Sequence, residues 1–169
     1  MSARGTLPYV DPRASRGPLY RAWTRFLGTR AAAWLSRAIV WKIDPLVMRL
    51  TGGRAGLGLM LPTALLETRG ARTGSPRRNA VIYFHDGDRV TIIASKLGAP
   101  EHPSWFHNIR ANPDVRFGGQ PFRAEVLEDD ASKARLWELA DRVFPPFAAY
   151  RENADRVGRT IPMIQLLPR

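Results

Sequence analysis

Three patterns predict an α+β fold in which about six mainly antiparallel strands curl into one small barrel with helices packed outside. Short apolar runs, several alternating with polar residues, are separated by tight glycine-containing connections. Helical spacing returns between some of these runs. A purely helical stretch precedes the first of them, which makes an N-terminal helical extension to the barrel.

Residues 1–17 mix Arg, Gly, Pro and Ser without periodicity and read as a flexible N-terminal arm. Residues 18–53 read as a helical segment. Leu19, Tyr20, Trp23, Phe26 and Leu27 recur at helical spacing, with Arg21, Arg25 and Arg30 on the other side. A second helical stretch carries Trp34, Leu35, Ala38, Ile39 and Trp41, is interrupted by Pro45, and stops at Gly52-Gly53.

Residues 54–169 are expected to form the barrel. Strands are predicted over Thr63 to Thr68, Ala80 to His85 and Val90 to Ser95, the last two flanking a tight connection that opens with Asp86-Gly87. Ser104 to Ala111 reads as a helix capped by Ser104 and stopped by Asn112-Pro113. Val115 and Phe117, then Phe122, Ala124 and Val126, alternate with charged residues on either side of Gly118-Gly119, the mark of two half-buried antiparallel strands. Ala131 to Phe144 reads as a helix ended by Pro145-Pro146, and Ile161 to Leu167 as a final strand.

At 169 residues the chain can build an ordinary core without staples. It has no cysteine, which excludes disulfides, cysteine-type zinc sites and cysteine nucleophiles. The longest charge-free stretch, Ala55 to Leu66, is too short to span a bilayer as a helix, and no secretory-type leader is evident, so a cytoplasmic location is expected. The net charge of +11 is unevenly placed: residues 1–80 hold 14 basic and 3 acidic side chains, residues 81–169 hold 12 of each. Nucleic acid, an anionic membrane and a small polyanion all suit that asymmetry.

The densest cluster runs from Thr68 to Arg78, between the first two predicted strands, and puts Arg69, Arg72, Arg77 and Arg78 with Gly70, Gly74 and three hydroxyls in one connection. Glycines let backbone N–H groups approach an anion, and guanidinium forks match paired phosphate or carboxylate oxygens. A solvated hairpin turn is the plain alternative. Ser95 and Lys96 follow at the end of the third strand, where the ammonium could meet a second anionic group. Trp105 and Asn108 lie three apart and share a helix face, suited to holding a planar ring; taken alone, Trp105 reads as core. His85, His102 and His107 lack metal-hydrolase spacing, and no metal site is expected. Nucleophile-elbow and Walker motifs are absent.

Together, Leu66 to Arg77, Ala94-Ser95-Lys96, Pro103 to Pro113 and Arg159-Thr160-Ile161-Pro162 resemble the deazaflavin-dependent nitroreductase and quinone reductase family of actinobacteria, over about residues 40 to 169. The resemblance implies a split β-barrel, FMN-binding-like, holding the 8-hydroxy-5-deazaflavin coenzyme F-420 in a surface groove. It also implies an oxidoreductase that passes hydride to a quinone-like or nitroaromatic acceptor. By carry-over, Arg72, Thr73, Gly74 and Arg77 face the coenzyme's phosphate or polyglutamate tail, Lys96 a phosphate oxygen, and Ser95 the deazaflavin, while Trp105 and Asn108 form a wall. Ile82, Phe144, Phe147 and Tyr150 are acceptor-pocket candidates, with a helix end packed on the barrel as the alternative for the last three. No catalytic residue is assigned.

The sequence departs from the family pattern at Ala71, where a basic residue is common, at Ile82, where some relatives have tyrosine, and at Leu97, where glycine is usual. Phe144 and Phe147 lack the hydroxyls of a tyrosine-rich stretch in nitro-activating relatives, which favours a quinone as acceptor. Trp23, Trp34 and Trp41 with neighbouring Arg suggest peripheral attachment to the inner face of the membrane, against packing on the barrel or on a homodimer partner. An FMN-binding barrel or non-catalytic carrier is the alternative reading. A basic nucleic-acid module is a further one, disfavoured because no reader motif appears.

Overall fold

Alternation in the barrel segment translates directly into strands with one buried face. In the computed structural model, which describes residues 7–27, 29 and 61–169, the first strand β1 (Thr63–Arg69) buries Ala64, Leu66 and Thr68 in turn. Beside it lies β2 (Pro76–Asp86), and Gly87-Asp88 turn the chain into β3 (Arg89–Ile93). In β4 (Asp114–Phe117) and β5 (Gln120–Val126), Val115, Phe117, Phe122 and Ala124 point inward. Gly118 and Gly119 join them, both at positive φ (56° and 81°), a pairing that a two-residue hairpin with native twist demands. The last strand, β6 (Met163–Pro168), is buried from Met163 to Leu166 because β3 and β5 flank it.

The strands close in the order β1-β2-β3-β6-β5-β4, every pairing antiparallel, with β4 returning to β1. This is the expected six-stranded barrel. Leu66, Ile92, Phe117, Ile164 and Leu166 fill its core. Among the described residues, 76–82 of β2 pair with β1 alone, since β3 joins β2 only from Tyr83 onward.

Four helices are described. Helix α1 (Pro18–Leu27) precedes the barrel, α2 (Ser104–Ala111) packs on β1, and α3 (Asp130–Val143) and α4 (Phe147–Asp155) pack on each other. The Asp129 carboxylate accepts the Ser132 N–H at 2.7 Å and caps α3.

The structure amends several sequence readings. β2 begins at Pro76, not Ala80, so Arg77 and Arg78 are strand residues and the connecting loop shrinks to Gly70–Ser75. Ser104 is the first residue of α2, not its cap; Pro103 holds the cap position without a side-chain hydrogen bond. The Pro145-Pro146 stop is followed at once by α4, because proline φ suits a helix start as well as it ends one.

Residues 7–16, read as part of a flexible arm, lie against the barrel. His85 N–H donates to Val10 O at 2.9 Å, Val10 N–H donates to His85 Nδ1 at 3.0 Å, and the Tyr83 hydroxyl donates to Pro8 O at 2.9 Å. In α1 the buried residue is Thr24, whereas Leu19 and Phe26 are 68% and 45% exposed, so its apolar residues do not share one buried face. The second helical stretch with Trp34 and Trp41, and the boundary between residues 53 and 54, lie outside the described residues.

Candidate cofactor site

Strand polarity orders the candidate residues along the sheet. β1 ends and β2 begins at the loop after Arg69, and β3 runs in the direction of β1, leaving the sheet just past the Ile92–Tyr83 pair into the turn that carries Ser95 and Lys96. Helix α2 packs on β1 and reaches the loop through Asn108.

The loop Gly70–Ser75 is held by its own backbone and by α2. Gly70 N–H donates to Ser75 O at 2.9 Å, and Gly74 N–H to Gly70 O at 2.8 Å. Asn108, 8% exposed, accepts Ala71 N–H on Oδ1 at 2.9 Å and donates from Nδ2 to Thr68 Oγ1 at 3.0 Å. Among the described residues, the N–H groups of Arg72 and Thr73 meet no acceptor from the protein. Two backbone donors thus remain on a loop whose shape is otherwise set.

Register sorts the arginines. Arg77 pairs with Thr68 and Arg78 with Glu67, so the two arginines lie on opposite faces of β2. Arg78 Nε meets Glu67 Oε2 at 3.0 Å on the outer face. Arg77 shares the face of Thr68, which Asn108 touches. Among the described residues, no carboxylate lies within ion-pair distance of Arg69, Arg72 or Arg77. Unpaired guanidinium groups beside open N–H groups fit a phosphate or a carboxylate tail, and the Cβ-free, positive-φ Gly74 leaves the loop surface clear.

Past β3 the chain makes a tight left-handed turn: Lys96 (φ 45°), Leu97 (φ 56°) and Gly98 (φ 74°) follow one another. Gly98 is required there, since a Cβ would fall 2.5 Å from Tyr150 O and 2.7 Å from Asn153 Cβ. The exposed Lys96 ammonium meets the exposed Glu101 carboxylate at 3.1 Å, a pair that solvent screens and a stronger anion can displace. The half-buried Ser95 makes no side-chain hydrogen bond within the described residues.

Sequence reasoning assigned no role to Arg159, 6% exposed beside the turn after β3. Its guanidinium donates to Ala94 O (2.6 Å), Ser95 O (2.9 Å), Ala99 O and His102 Nδ1 (3.2 Å). Desolvation pulls its pKa below the ordinary arginine value, and burial together with the Arg159 charge lowers that of His102. Only its place in the Arg159–Pro162 motif could have drawn attention to it.

Trp105 and Asn108, expected as a cofactor wall, are both buried, and the Asn108 amide bonds to the loop through Oδ1 and to β1 through Nδ2. Phe144 and Phe147 are buried too, their rings 5.1 Å apart with Tyr150 about 6 Å from each. Burial pushes the Tyr150 hydroxyl up to about 12. This aromatic cluster belongs to the α3–α4 corner, and α4 backs the Lys96–Gly98 turn. Ile82 is half-buried on the outer face of β2.

A groove of about 340 Å³ lies across α2, lined among others by Phe106, Arg110, Leu127, Lys133 and Ile161. Two residues along a helix turn by about 200°, so Phe106 and Arg110 point away from Asn108 and this groove is separate from the Gly70–Ser75 loop. Among the described residues no cluster of His, Asp or Glu could hold a metal ion, and no helix is long and apolar enough to cross a membrane.

The protein is a closed antiparallel barrel whose β1–β2 loop carries unpaired guanidinium groups beside open N–H groups, a donor set suited to an anionic cofactor. Residues 41–168 match the family model described as F420H(2)-dependent quinone reductase, and the chain belongs to that family. A curated F420H(2)-dependent quinone reductase of Mycobacterium tuberculosis strain H37Rv is 35% identical over 146 residues, covering 80% of this chain and 97% of its own length. The solved structure titled "Structure of F420-H2 Dependent Reductase (FDR-A)" is 33% identical with a TM-score of 0.53, covering 62% of this chain and 93% of the other. Another, titled as a domain-swapped dimer, is 30% identical with a TM-score of 0.56, covering 75% of this chain and 96% of the other.

Proposed function

We propose that this protein transfers a hydride from reduced coenzyme F-420 to a quinone, with Arg72, Thr73, Gly74 and Arg77 seating the phosphate or tail, Lys96 meeting a phosphate oxygen and Ser95 the deazaflavin. The observation that carries the site is the Gly70–Ser75 loop, which presents two open N–H groups and unpaired guanidinium groups while its own shape is held from beneath by Asn108. When bound, the deazaflavin supplies the hydride, and the protein's part is placement. The chain must hold the acceptor ~3–3.5 Å from the ring and keep water out. Trp105 and Asn108 serve by fixing α2 and the loop. Phe144, Phe147 and Tyr150 support the turn from behind, with Ile82 and the Tyr150 edge nearest to an acceptor role. A nitroaromatic is the second acceptor class to try.

Titration with oxidised and reduced coenzyme, followed by menadione, tests the reading. Arg72→Ala and Arg77→Ala each weaken binding by about tenfold if they make charge-assisted bonds; unchanged affinity in both removes the site assignment. Protein that retains FMN and ignores the deazaflavin would support the FMN alternative instead.

Exposed Leu19 and Phe26 beside exposed Arg21 and Arg25 on α1 support peripheral membrane contact. Full-length protein then floats with anionic liposomes and a Leu19→Ser/Phe26→Ser variant does not; equal flotation refutes attachment through α1. A homodimer is proposed on the likeness to the domain-swapped structure, and light scattering at the mass of one chain would exclude it.

A further inference from the structure

We propose that Arg159 is a positioning residue: its buried guanidinium imposes the left-handed turn at Lys96 and Leu97 and thereby sets where Ser95 and Lys96 meet the coenzyme. The inference rests on the coenzyme reading above and adds a residue that touches no ligand.

Every side-chain hydrogen bond of Arg159 goes to one short stretch of chain, residues 94–102. Its nitrogens reach the carbonyls of Ala94, Ser95 and Ala99 and the Nδ1 of His102, so the planar fork spans the turn from entry to exit. Among the described residues no carboxylate pairs with it; Glu101 is bonded to Lys96 instead. A buried cation without a counterion is a poor way to gain stability alone, since apolar side chains fill such space at lower cost. What a guanidinium offers here is geometry: several carbonyls held in one plane at fixed spacing.

The turn needs such a restraint. Residues with a Cβ avoid the left-handed region, and non-glycine residues found there are held by their surroundings. Lys96 and Leu97 occupy it consecutively, closed only by Gly98 N–H to Ser95 O and Ala99 N–H to Lys96 O, each at 3.0 Å. Ser95 O accepts from both Gly98 and Arg159, which ties the fork to the turn itself. The turn also carries leucine at a position where glycine would adopt this conformation freely. The clamp is therefore expected to matter more here than it would beside a glycine.

The test is a fluorescence titration of the full chain with oxidised coenzyme F-420, comparing Arg159→Met, Arg159→Lys, Leu97→Gly and each Arg159 variant combined with Leu97→Gly, with Arg72→Ala as reference. Arg159→Met is expected to weaken binding by about tenfold and to speed amide exchange at Gly98 and Ala99. Adding Leu97→Gly to it should recover at least threefold of the lost affinity, because the turn then re-forms at lower cost. If Arg159→Met does not fold, the same recovery is read in the Arg159→Lys background. Loss of affinity with no recovery by Leu97→Gly would mark Arg159 as a mere brace and overturn the proposal. A folded Arg159→Met with unchanged affinity, while Arg72→Ala binds weakly, overturns it too and leaves the coenzyme site standing. Absence of binding by the unaltered protein sinks both.

Discussion

Asn108 Oδ1 accepts the Ala71 N–H at 2.9 Å, so a buried side chain on α2 fixes the backbone of the arginine-bearing loop. The same amide donates to Thr68 Oγ1, which closes a polar bridge between helix, strand and loop.

Replacing Asn108 by Leu removes both bonds and leaves the buried Thr68 hydroxyl without a partner, while the N–H of the exposed Ala71 turns to water. A loss of about 1–3 kcal/mol in unfolding free energy is expected from the orphaned hydroxyl, together with weaker coenzyme binding as the loop loosens. Chemical denaturation and coenzyme titration on one preparation check both; a stable variant with full affinity would show the bridge to be idle.

Adjacent arginines on β2 should behave differently. Arg77→Ala is expected to lower coenzyme affinity about tenfold without changing the melting temperature, whereas Arg78→Ala, whose side chain meets Glu67 on the outer face, leaves affinity within about threefold. Equal effects from the two would refute the assignment by strand face.

Two glycines separate steric from conformational demand. Gly98→Ala drives a Cβ into Tyr150 O and Asn153 and should cost about 2–4 kcal/mol, combining overpacking with left-handed backbone. Gly74→Ala, with positive φ but open space around it, should cost only about 1–2 kcal/mol. Thermal melts of the pair decide, and a reversed order contradicts the described turn.

The docked stretch at Val10 should be sensitive to acid. His85 Nδ1 must be unprotonated to accept the Val10 N–H, and burial lowers the His85 pKa below its usual 6.5. The unfolded or undocked chain takes up the proton first, so this contribution is full above about pH 6.5 and fades as the pH falls below it. Amide exchange at Val10, corrected for intrinsic rates, should rise relative to Leu66 between pH 7.5 and 5.5. A His85→Phe variant, lacking the acceptor, should show fast exchange at both.

The barrel was legible because its signals are local. Alternation in β1, β4 and β5 and glycine-containing turns at Gly87 and Gly118-Gly119 need no knowledge of distant contacts. The first residues of β2 escaped because Pro76, Arg77, Arg78 and Asn79 have little strand preference, and their pairing with β1 supplies the order. α4 escaped because a proline pair reads equally as an end or a beginning. Helical spacing placed Trp105 and Asn108 on one face, and Trp105 taken alone read as core, but spacing did not reveal the bonds by which Asn108 holds the loop. Arg159 was invisible as a clamp for a simpler reason: its acceptors, three backbone carbonyls and the His102 ring, lie about sixty residues away in the chain.

Among the described residues no strand pairs with the side of β2 away from β1 over residues 76–82, a length of backbone that another extended chain could meet. Proline at its first position and two cations after it discourage such pairing, as gatekeepers do at exposed strand borders. Arg77, invoked for coenzyme recognition, thereby also serves solubility together with Arg78, and exchanging the two for β-branched apolar residues would turn this strand border into a seed for aggregation.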